Sequence, residues 1–306
     1  MQSLRYVSYH DIDKKKWDEC IMLSANKLIY VNSFYLDAMA GEWDALVLND
    51  YDVVMPVLRR KKWGIKYLYQ PAFMQQGGLY HKAPLAQDVP FNIYKLLQQH
   101  YRFAEIALNY ANPRVSFPGV SFSSRNNYIL DLHRSYESIT AGYAKNVTQE
   151  LRRLQKFNLN YVVSTDTDEA IEIYRDLYGN EMTYSKRDYL LFQLLCKKLI
   201  QEESVLVRHI KNDAGEPLAV ALLLKDNRRL YNIISCILPT GKKYSANYFL
   251  YDSLIKEFSG KKLLLDFEGS DKVGIKYFYE KFTQANQPYF FMKFNRLPWP
   301  LKLFKR

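Results

Sequence analysis

The sequence predicts an α/β (α+β) fold of two tandem domains, residues 1–132 and 133–306, each with a mixed, mostly antiparallel sheet flanked by helices. Three observations predict it. Short β-rich runs alternate with amphipathic helical runs along all 306 residues, a length suited to two domains of ordinary size. In the second half, three strand-like runs, Val205–Lys211, Leu218–Lys225 and Arg229–Cys236, are joined by the hairpin turns Asn212–Gly215 and Asp226-Asn227. The first half follows the layout of the second loosely, with no residue-level repeat between them.

In the first half, Arg5–His10 reads as a strand and a helix starts near Asp13, with Asp11 or Asp13 as its cap. A second helical pattern covers Ser33–Ala40. Three short β-rich runs follow, Ala45–Leu48, Val53–Arg59 and Lys66–Tyr69, separated by turns at Asn49-Asp50 and Lys62–Gly64. Phe91–His100 is a helix behind Pro90. Phe103–Leu108 and Tyr128–Leu132 are strands. The segment Asn112–Asn127, rich in Pro, Ser and Asn, reads as an irregular loop.

In the second half, Ser135–Phe157 reads as one long helix with a basic C-terminal part, followed by a strand at Asn160–Ser164. Thr167–Tyr178 and Ser185–Glu202 are helices, the latter capped by Ser185. After the three antiparallel strands come a helix over about Tyr244–Phe258, a strand at Lys262–Phe267, a helix at Val273–Phe282 and a last strand at Tyr289–Asn295. In the run KKLLLDFEGSDKVGIKYFYEKF, Asp266 and Glu268 stand two apart at the end of a strand. An unbroken strand projects both from one face and Leu263, Leu265 and Phe267 from the other. Gly269 and Ser270 turn the chain, and Asp271 is placed to cap the next helix.

Lys and Arg number 43 against 32 acids, a formal charge of +11, which favours anionic partners: phosphates, nucleic acid, a cell-wall precursor or an acidic membrane surface. Cys20, Cys196 and Cys236 are odd in number and far apart. They form neither a disulfide framework nor a zinc pattern, so a reducing, cytoplasmic setting is expected. The N-terminal stretch lacks the apolar core of a signal peptide, and no apolar run approaches the ~18 residues of a membrane span. The five histidines have no ligand spacing, so no metal is expected. G-x-S-x-G, P-loop and dinucleotide fingerprints are absent, which argues against a hydrolase, a kinase and a dehydrogenase.

The order strand, helix, helix, three antiparallel strands, helix, strand, helix, strand is that of the GCN5-related N-acyltransferase (GNAT) fold. DFEGS, GIKYFYEKF and NRLPWPLK resemble the end of FemAB-like, tandem-GNAT proteins. VVMPVLRRK, IKYLYQPAFMQQGGLY and the basic helix NVTQELRRLQK resemble other parts of the same family. The resemblance covers most of the chain and implies an acyltransferase. Members of the wider family transfer amino acids from aminoacyl-tRNA to a peptidoglycan precursor. The sequence departs from them where the helix after the acidic strand carries a Phe-Lys pair, since Phe278 and Tyr279 stand there and Lys281 lies two residues on.

Acyl transfer to an amine needs a base, stabilisation of the carbonyl oxygen and a held donor. Asp266 and Glu268 are the candidate bases, because close carboxylates repel and one pKa rises toward neutrality. Their bland role is helix capping or pairing with Lys262 and Lys272. Tyr279, which stands where the family's Phe-Lys pair has its Lys, is the third catalytic candidate. Coenzyme A phosphates in GNAT proteins sit at a helix N-terminus with the signature Q/R-x-x-G-x-G/A. The matching segment LPTGKKYSAN has one glycine, Gly241, and offers Lys242, Lys243 and Asn247 instead. Arg152 and Lys156, with Lys145, fall near one helical face that can receive a phosphorylated substrate or tRNA backbone. Tyr69, Gln76 and Tyr184 are placed to line a cleft between the halves. The tail FMKFNRLPWPLKLFKR, five cations and no acids, is a candidate for peripheral contact with an anionic membrane.

The function expected is an N-acyltransferase that moves an acyl or aminoacyl group from acyl-CoA or aminoacyl-tRNA to an amine acceptor, with a cell-wall precursor one candidate, and with no tightly bound cofactor. The rival is a non-catalytic GNAT-fold module that binds RNA or an anionic lipid.

Overall fold

The computed structural model describes residues 3–269, 271–299 and 301–302. The first half of the chain contains β1 (Leu4–Val7), α1 (Lys14–Leu23), α2 (Ser33–Met39), β2 (Asp44–Leu48), β3 (Val53–Val57), β4 (Arg59–Lys62), β5 (Ile65–Leu68), β6 (Tyr80–His81), α3 (Val89–His100), β7 (Phe103–Ala107), β8 (Val120–Arg125) and β9 (Ile129–Asp131). Next come α4 (Tyr136–Thr140), α5 (Lys145–Leu154), β10 (Asn160–Ser164), α6 (Thr167–Tyr178), α7 (Lys186–Ile200), β11 (Val205–Lys211), β12 (Pro217–Lys225) and β13 (Arg229–Ile237). The chain closes with α8 (Pro239–Tyr244), α9 (Ala246–Phe258), β14 (Leu264–Asp266), α10 (Val273–Tyr279) and β15 (Tyr289–Asn295). Two compact units form. Unit 1 is Met1–Arg125 with Pro288–Arg306, and unit 2 is Asn126–Gln287.

Unit 1 holds two sheets, in strand order β1-β2-β3-β6 and β4-β5-β7-β15-β8. Every residue of DALVL in β2 and VVMPV in β3 is buried, so these strands read as continuous apolar runs rather than alternating ones. Asp13 caps α1, its carboxylate accepting from the backbone N–H groups of Lys15 and Lys16 at 3.1 Å each. The core gathers Leu46, Met55, Leu97, Ala104, Met292 and Phe294. β15 therefore lies in this unit, antiparallel to both β7 and β8.

One strand of unit 1 falls where the sequence predicts an irregular loop. β8, VSFSSR, pairs along β15 from Val120↔Phe294 to Tyr289↔Arg125. Only Val120 and Phe122 turn their apolar side chains to the core. At a sheet edge one apolar face is enough, and the small polar residues between disguise it.

Unit 2 is built on one sheet, β10-β11-β12-β13-β14-β9, antiparallel except for β13 beside β14. Leu218, Ala219, Ala221 and Leu223 of β12 pack with Leu250, Leu254 and Ile255 of α9 and with Leu265 and Phe267. Ser185 and Asp188 form a reciprocal capping box at the start of α7. The single long helix predicted for 135–157 is instead two, α4 and α5. The break at Gly142–Ala144 follows from tertiary bonds. Ala144 N–H donates to Lys281 O at 2.8 Å, and the Tyr143 hydroxyl reaches Asp252 at 3.2 Å. Helix propensity yields to such contacts.

His209 of β11 is 1% exposed, and neither ring nitrogen has a hydrogen-bond partner. Its Nε2 lies 3.6 Å from Glu169 Oε2. Burial pulls its pKa below the ordinary value, with Glu169 opposing and Lys211 adding to the fall. The folded state thus prefers the neutral ring, and the unfolded chain takes up a proton first. Stability should fall as pH drops below about 6.5, the unfolded value. Urea unfolding of the His209→Leu variant should lack that part of the slope.

Candidate active site

The site begins where two parallel strands part. β13 pairs with β14 only at Arg229↔Leu264, Leu230↔Leu265 and Tyr231↔Asp266. On its other side β13 stays paired with β12 as far as Ile237↔Ala219. Its last six residues thus have a strand neighbour on one side alone. The pairing with β12 also shifts at this point. Leu222 opposes Ile234 and Leu224 opposes Tyr231, so β13 carries one extra residue, a bulge at Asn232–Ile233. Bulges re-aim side chains and favour active-site edges. The C-terminal end of parallel strands is where open α/β sheets receive ligands.

β14 ends at Asp266 and the chain turns through two left-handed residues, Glu268 at φ 57° and Gly269 at φ 54°. The turn breaks the period of two, so the expected shared face of Asp266 and Glu268 does not form. Asp266 is 1% exposed and faces inward, while Glu268 is half-buried. Asp266 Oδ2 accepts from Arg229 Nη1 at 2.8 Å, its Oδ1 accepts from Glu268 N–H at 3.2 Å, and Arg229 Nη2 donates to Gln287 Oε1 at 2.9 Å. Burial pushes the Asp266 carboxyl up, and the Arg229 charge opposes that rise. The partner of Asp266 is thus a cation, where the sequence reading expects a repelling carboxylate. Asp271 departs from expectation too. Its carboxylate accepts from Asn126 N–H at 2.9 Å, and α10 begins without a side-chain cap.

Tyr279, buried on α10, belongs to a polar cluster inside the core. Its hydroxyl is 3.1 Å from the Tyr251 hydroxyl and 3.3 Å from Asn232 Nδ2, which also donates to Tyr251 at 2.8 Å and to Phe267 O at 3.2 Å. The carbonyl of Phe267 fixes the orientation of the Asn232 amide. Asn232 Oδ1 is then a buried acceptor with no partner. Burial, then the neighbouring Tyr251 and Glu268, push the Tyr279 phenol well above its ordinary pKa. It is a neutral hydrogen-bonding group that feels the Glu268 charge. Arg229, Asn232 and Tyr251 are absent from the sequence prediction. The signal for two of them is a polar residue inside the apolar run RLYNIISCI.

The basic groups gather at the joint between α8 and α9, where the sequence reads a single helix from about Tyr244 with Lys242 and Lys243 at its start, so that α8 is a helix the sequence reading lacks. Ser245, left-handed at φ 56°, divides the two helices. Lys242 and Lys243 consequently sit in the last turn of α8, not at a helix N-terminus. Arg153 holds the joint. Its Nη2 donates to Tyr244 O and Ser245 Oγ at 3.1 Å each, and it pairs with Glu150 at 2.7 Å. Phe157 stacks edge-on against Tyr244 with centroids 5.1 Å apart. Arg152, Lys156, Lys242 and Lys243 are exposed, and among the described residues no carboxylate pairs with them. Gly241 has a packing role: a Cβ there would lie 1.9 Å from Leu218 O. Asn247 is half-buried in the first turn of α9. Its neighbour Tyr248 accepts from Lys281 Nζ at 2.7 Å.

The other predicted residues are elsewhere. Tyr184 of unit 2 is half-buried, with its ring 6.1 Å from that of Tyr189. Tyr69 and Gln76 belong to unit 1. Arg60 lies over the Tyr69 ring at 3.8 Å, and buried Gln76 accepts from Tyr110 N–H at 2.8 Å. A cavity of about 240 Å³ opens at the far end of the unit 2 sheet, lined by Ser164, Thr165, Glu203, Arg208 and Lys225, and includes none of the predicted residues. Among the described residues no cluster of His, Cys, Asp or Glu is placed to hold a metal.

Two substitutions test this frame. Asp266→Ala removes the carboxylate that faces the buried Arg229 charge, and should lower unfolding free energy by about 3–5 kcal/mol. Gly241→Ala forces α8 off β12, and thermal denaturation should report a loss of at least about 1–3 kcal/mol.

Residues 141–273 match the model of a family described as an acetyltransferase (GNAT) domain. No curated protein sequence matches the chain. Its fold is similar over nearly its whole length to solved structures. A crystal structure of FemX aligns at TM-score 0.63 and 11% identity, covering 96% of this chain and 98% of that one. A conserved protein of unknown function from Bacteroides thetaiotaomicron aligns at 0.60 and 9%, covering 96% and 100%. The C-terminal domain of a putative lysylphosphatidylglycerol synthetase from Agrobacterium fabrum aligns at 0.51 and 11%, covering 94% of each. The parted strands of unit 2 thus lie in a segment that matches a GNAT acetyltransferase domain, and the chain as a whole shares the fold of FemX.

Proposed function

We propose that the protein is an N-acyltransferase that moves an acyl or aminoacyl group from acyl-CoA or aminoacyl-tRNA to an amine, with a cell-wall precursor as one acceptor class. The observation that carries this reading is the parting of β13 from β14 directly before Glu268. The donor enters as a substrate. Lys242, Lys243, Arg152 and Lys156 meet its phosphates, and Asn247 lies beside them on α9. The amine nitrogen attacks the carbonyl carbon of the thioester or ester, Glu268 accepts its proton, and the C–S or C–O bond breaks to release a thiolate or alkoxide, which takes that proton back from Glu268 and leaves as thiol or hydroxyl. Asp266, sealed against Arg229, positions the turn. Tyr279 stays protonated and orients the same loop through Asn232 and Tyr251. Tyr184, half-buried in unit 2, is assigned to acceptor contacts.

A reducing, cytoplasmic setting fits this reading. All three cysteines are free and buried, and burial pushes the Cys20 thiol up to about 11 and that of Cys236 up to about 12. No described helix is long and apolar enough to cross a membrane.

The exposed, unpaired Arg152, Lys156, Lys242 and Lys243 also favour a second reading, a non-catalytic module that holds RNA or an anionic lipid. Thermal shifts with acetyl-CoA, aminoacyl-tRNA and UDP-linked peptides would rank donors and acceptors. With the ranked donor, Glu268→Gln should reduce turnover by about 10²–10⁴-fold while leaving the melting temperature nearly unchanged. Full activity in that variant would remove Glu268 from the chemistry. No acyl product, with RNA or vesicle affinity that falls steeply with salt, would establish the module.

A further inference from the structure

β4 and β5 form a hairpin in which Lys62 pairs with Ile65, so Trp63 and Gly64 alone make the turn. Both are left-handed, at φ 51° and 76°. Such turns favour Asn-Gly, and a bulky side chain at a positive φ is strained. Trp63 is nevertheless 77% exposed at the tip. The chain thus holds an indole in water, in a conformation that Asn would adopt more easily. Backbone strain of this kind points to a use for the side chain.

The surroundings are cationic. Arg60, Lys61, Lys62 and Lys66 are exposed. The neighbouring strands bring more positive charge to the same end of the sheet. Arg102 N–H donates to Lys66 O at 3.3 Å, and Arg296 N–H donates to Arg102 O at 2.7 Å, so the start of β5, the start of β7 and the end of β15 lie side by side. Arg102 and Arg296 are exposed, and three residues further on Trp299 is 79% exposed. Residues 59–69, 101–104 and 294–302 contain no Asp or Glu. The carboxylates that do pair nearby are engaged: Asp44 and Glu42 with Arg59 at the base of the hairpin, and Glu105 of β7 with Lys293 of β15 at 2.8 Å.

We propose that this end of unit 1 docks on an anionic lipid surface, with Trp63 and Trp299 in the headgroup layer and Lys61, Lys62, Lys66, Arg102 and Arg296 on the lipid phosphates. Indoles prefer the interface, and basic residues beside it add attraction to anionic lipid. A nucleic acid would share the charge but would need the indole face for stacking. One face is already covered, since Lys62 Nζ lies 4.7 Å from the centre of the Trp63 ring. The proposal does not depend on the catalytic reading.

The test uses the full chain and vesicles of phosphatidylglycerol in phosphatidylcholine, with pure phosphatidylcholine as the control. The four tryptophans make it direct, because Trp17 and Trp43 are fully buried and only Trp63 and Trp299 can meet brominated acyl chains. The expected result is salt-sensitive cosedimentation with anionic vesicles alone, accompanied by quenching. Lys61→Glu with Lys62→Glu should weaken partition by at least about 25-fold, at roughly fivefold per cation. Trp63→Asn should remove much of the quenching while the melting temperature holds or rises, which separates docking from misfolding. The proposal is overturned if anionic vesicles fail to bind at low salt, if both variants bind like the wild type, or if a single-stranded RNA quenches the indoles and vesicles do not.

Discussion

The buried pair Arg229–Asp266 is the constraint on which the site depends. The two residues stand at opposite ends of the short β13–β14 pairing, Arg229 against Leu264 and Asp266 against Tyr231. Neither can be hydrated, so each requires the other. The pair therefore fixes where the parallel strands end. Beyond it β14 must leave the sheet, because Asp266 also holds the backbone N–H of Glu268 and bends the chain into its left-handed turn. β13 continues alone with an extra residue, and the bulge aims Asn232 at Tyr251 and Tyr279. A charge pair of small net stabilising value thus acts mainly as a registry device. It decides which backbone lies beside which, and where the edge of β13 is left open.

Electrostatics divides the same unit into two regimes. Inside, charges are matched: Arg229 with Asp266, and Arg208 with Glu257 at 2.6 Å. Arg153 joins these structural cations, since its guanidinium closes the α8–α9 joint and its charge meets Glu150. Outside, Arg152, Lys156, Lys242 and Lys243 remain unmatched on elements that Arg153 and Gly241 hold rigidly together. Cations on a fixed frame attract an anion without first losing much side-chain or backbone freedom. The excess of +11 is therefore spread unevenly, matched in the core of unit 2 and left free at the α8–α9 joint.

The fold was legible in the sequence because periodicity reports burial, and burial defined most elements. The three antiparallel strands of unit 2, helix α6 and the caps at Asp13 and Ser185 follow from local pattern and turn chemistry alone. What the pattern concealed was tertiary. The helix over 135–157 breaks because Ala144 bonds to Lys281, more than a hundred residues away, and β8 becomes a strand because β15 returns beside it. The site was half legible. Glycine and acid at a strand end marked the turn. Yet spacing by two presumes that the strand continues, and it stops at Asp266. Arg153 and Arg152 are neighbours in one basic run, and only the packing of α5 against α9 tells the structural cation from the free one.

Backbone strain marks the places in each unit that matter most. Seven non-glycine residues have positive φ among those described, and three of them, Trp63, Ser245 and Glu268, stand at the hairpin tip, the α8–α9 joint and the acidic turn. Each strained residue costs on the order of 1–3 kcal/mol and persists only where the surroundings fix it. The surroundings do so here: Phe267 N–H bonds to Tyr128 O on one side of Glu268, Arg153 grips Ser245, and a four-residue ladder frames Trp63. Glycine or asparagine would relieve the backbone at all three positions. That the chain instead carries a carboxylate, a hydroxyl bonded to Arg153 and an indole means that the side chain, not the turn, is what each position supplies. In a protein whose overall layout rests on apolar packing, these are the places where sequence departs from ease of folding, and therefore where function is to be sought.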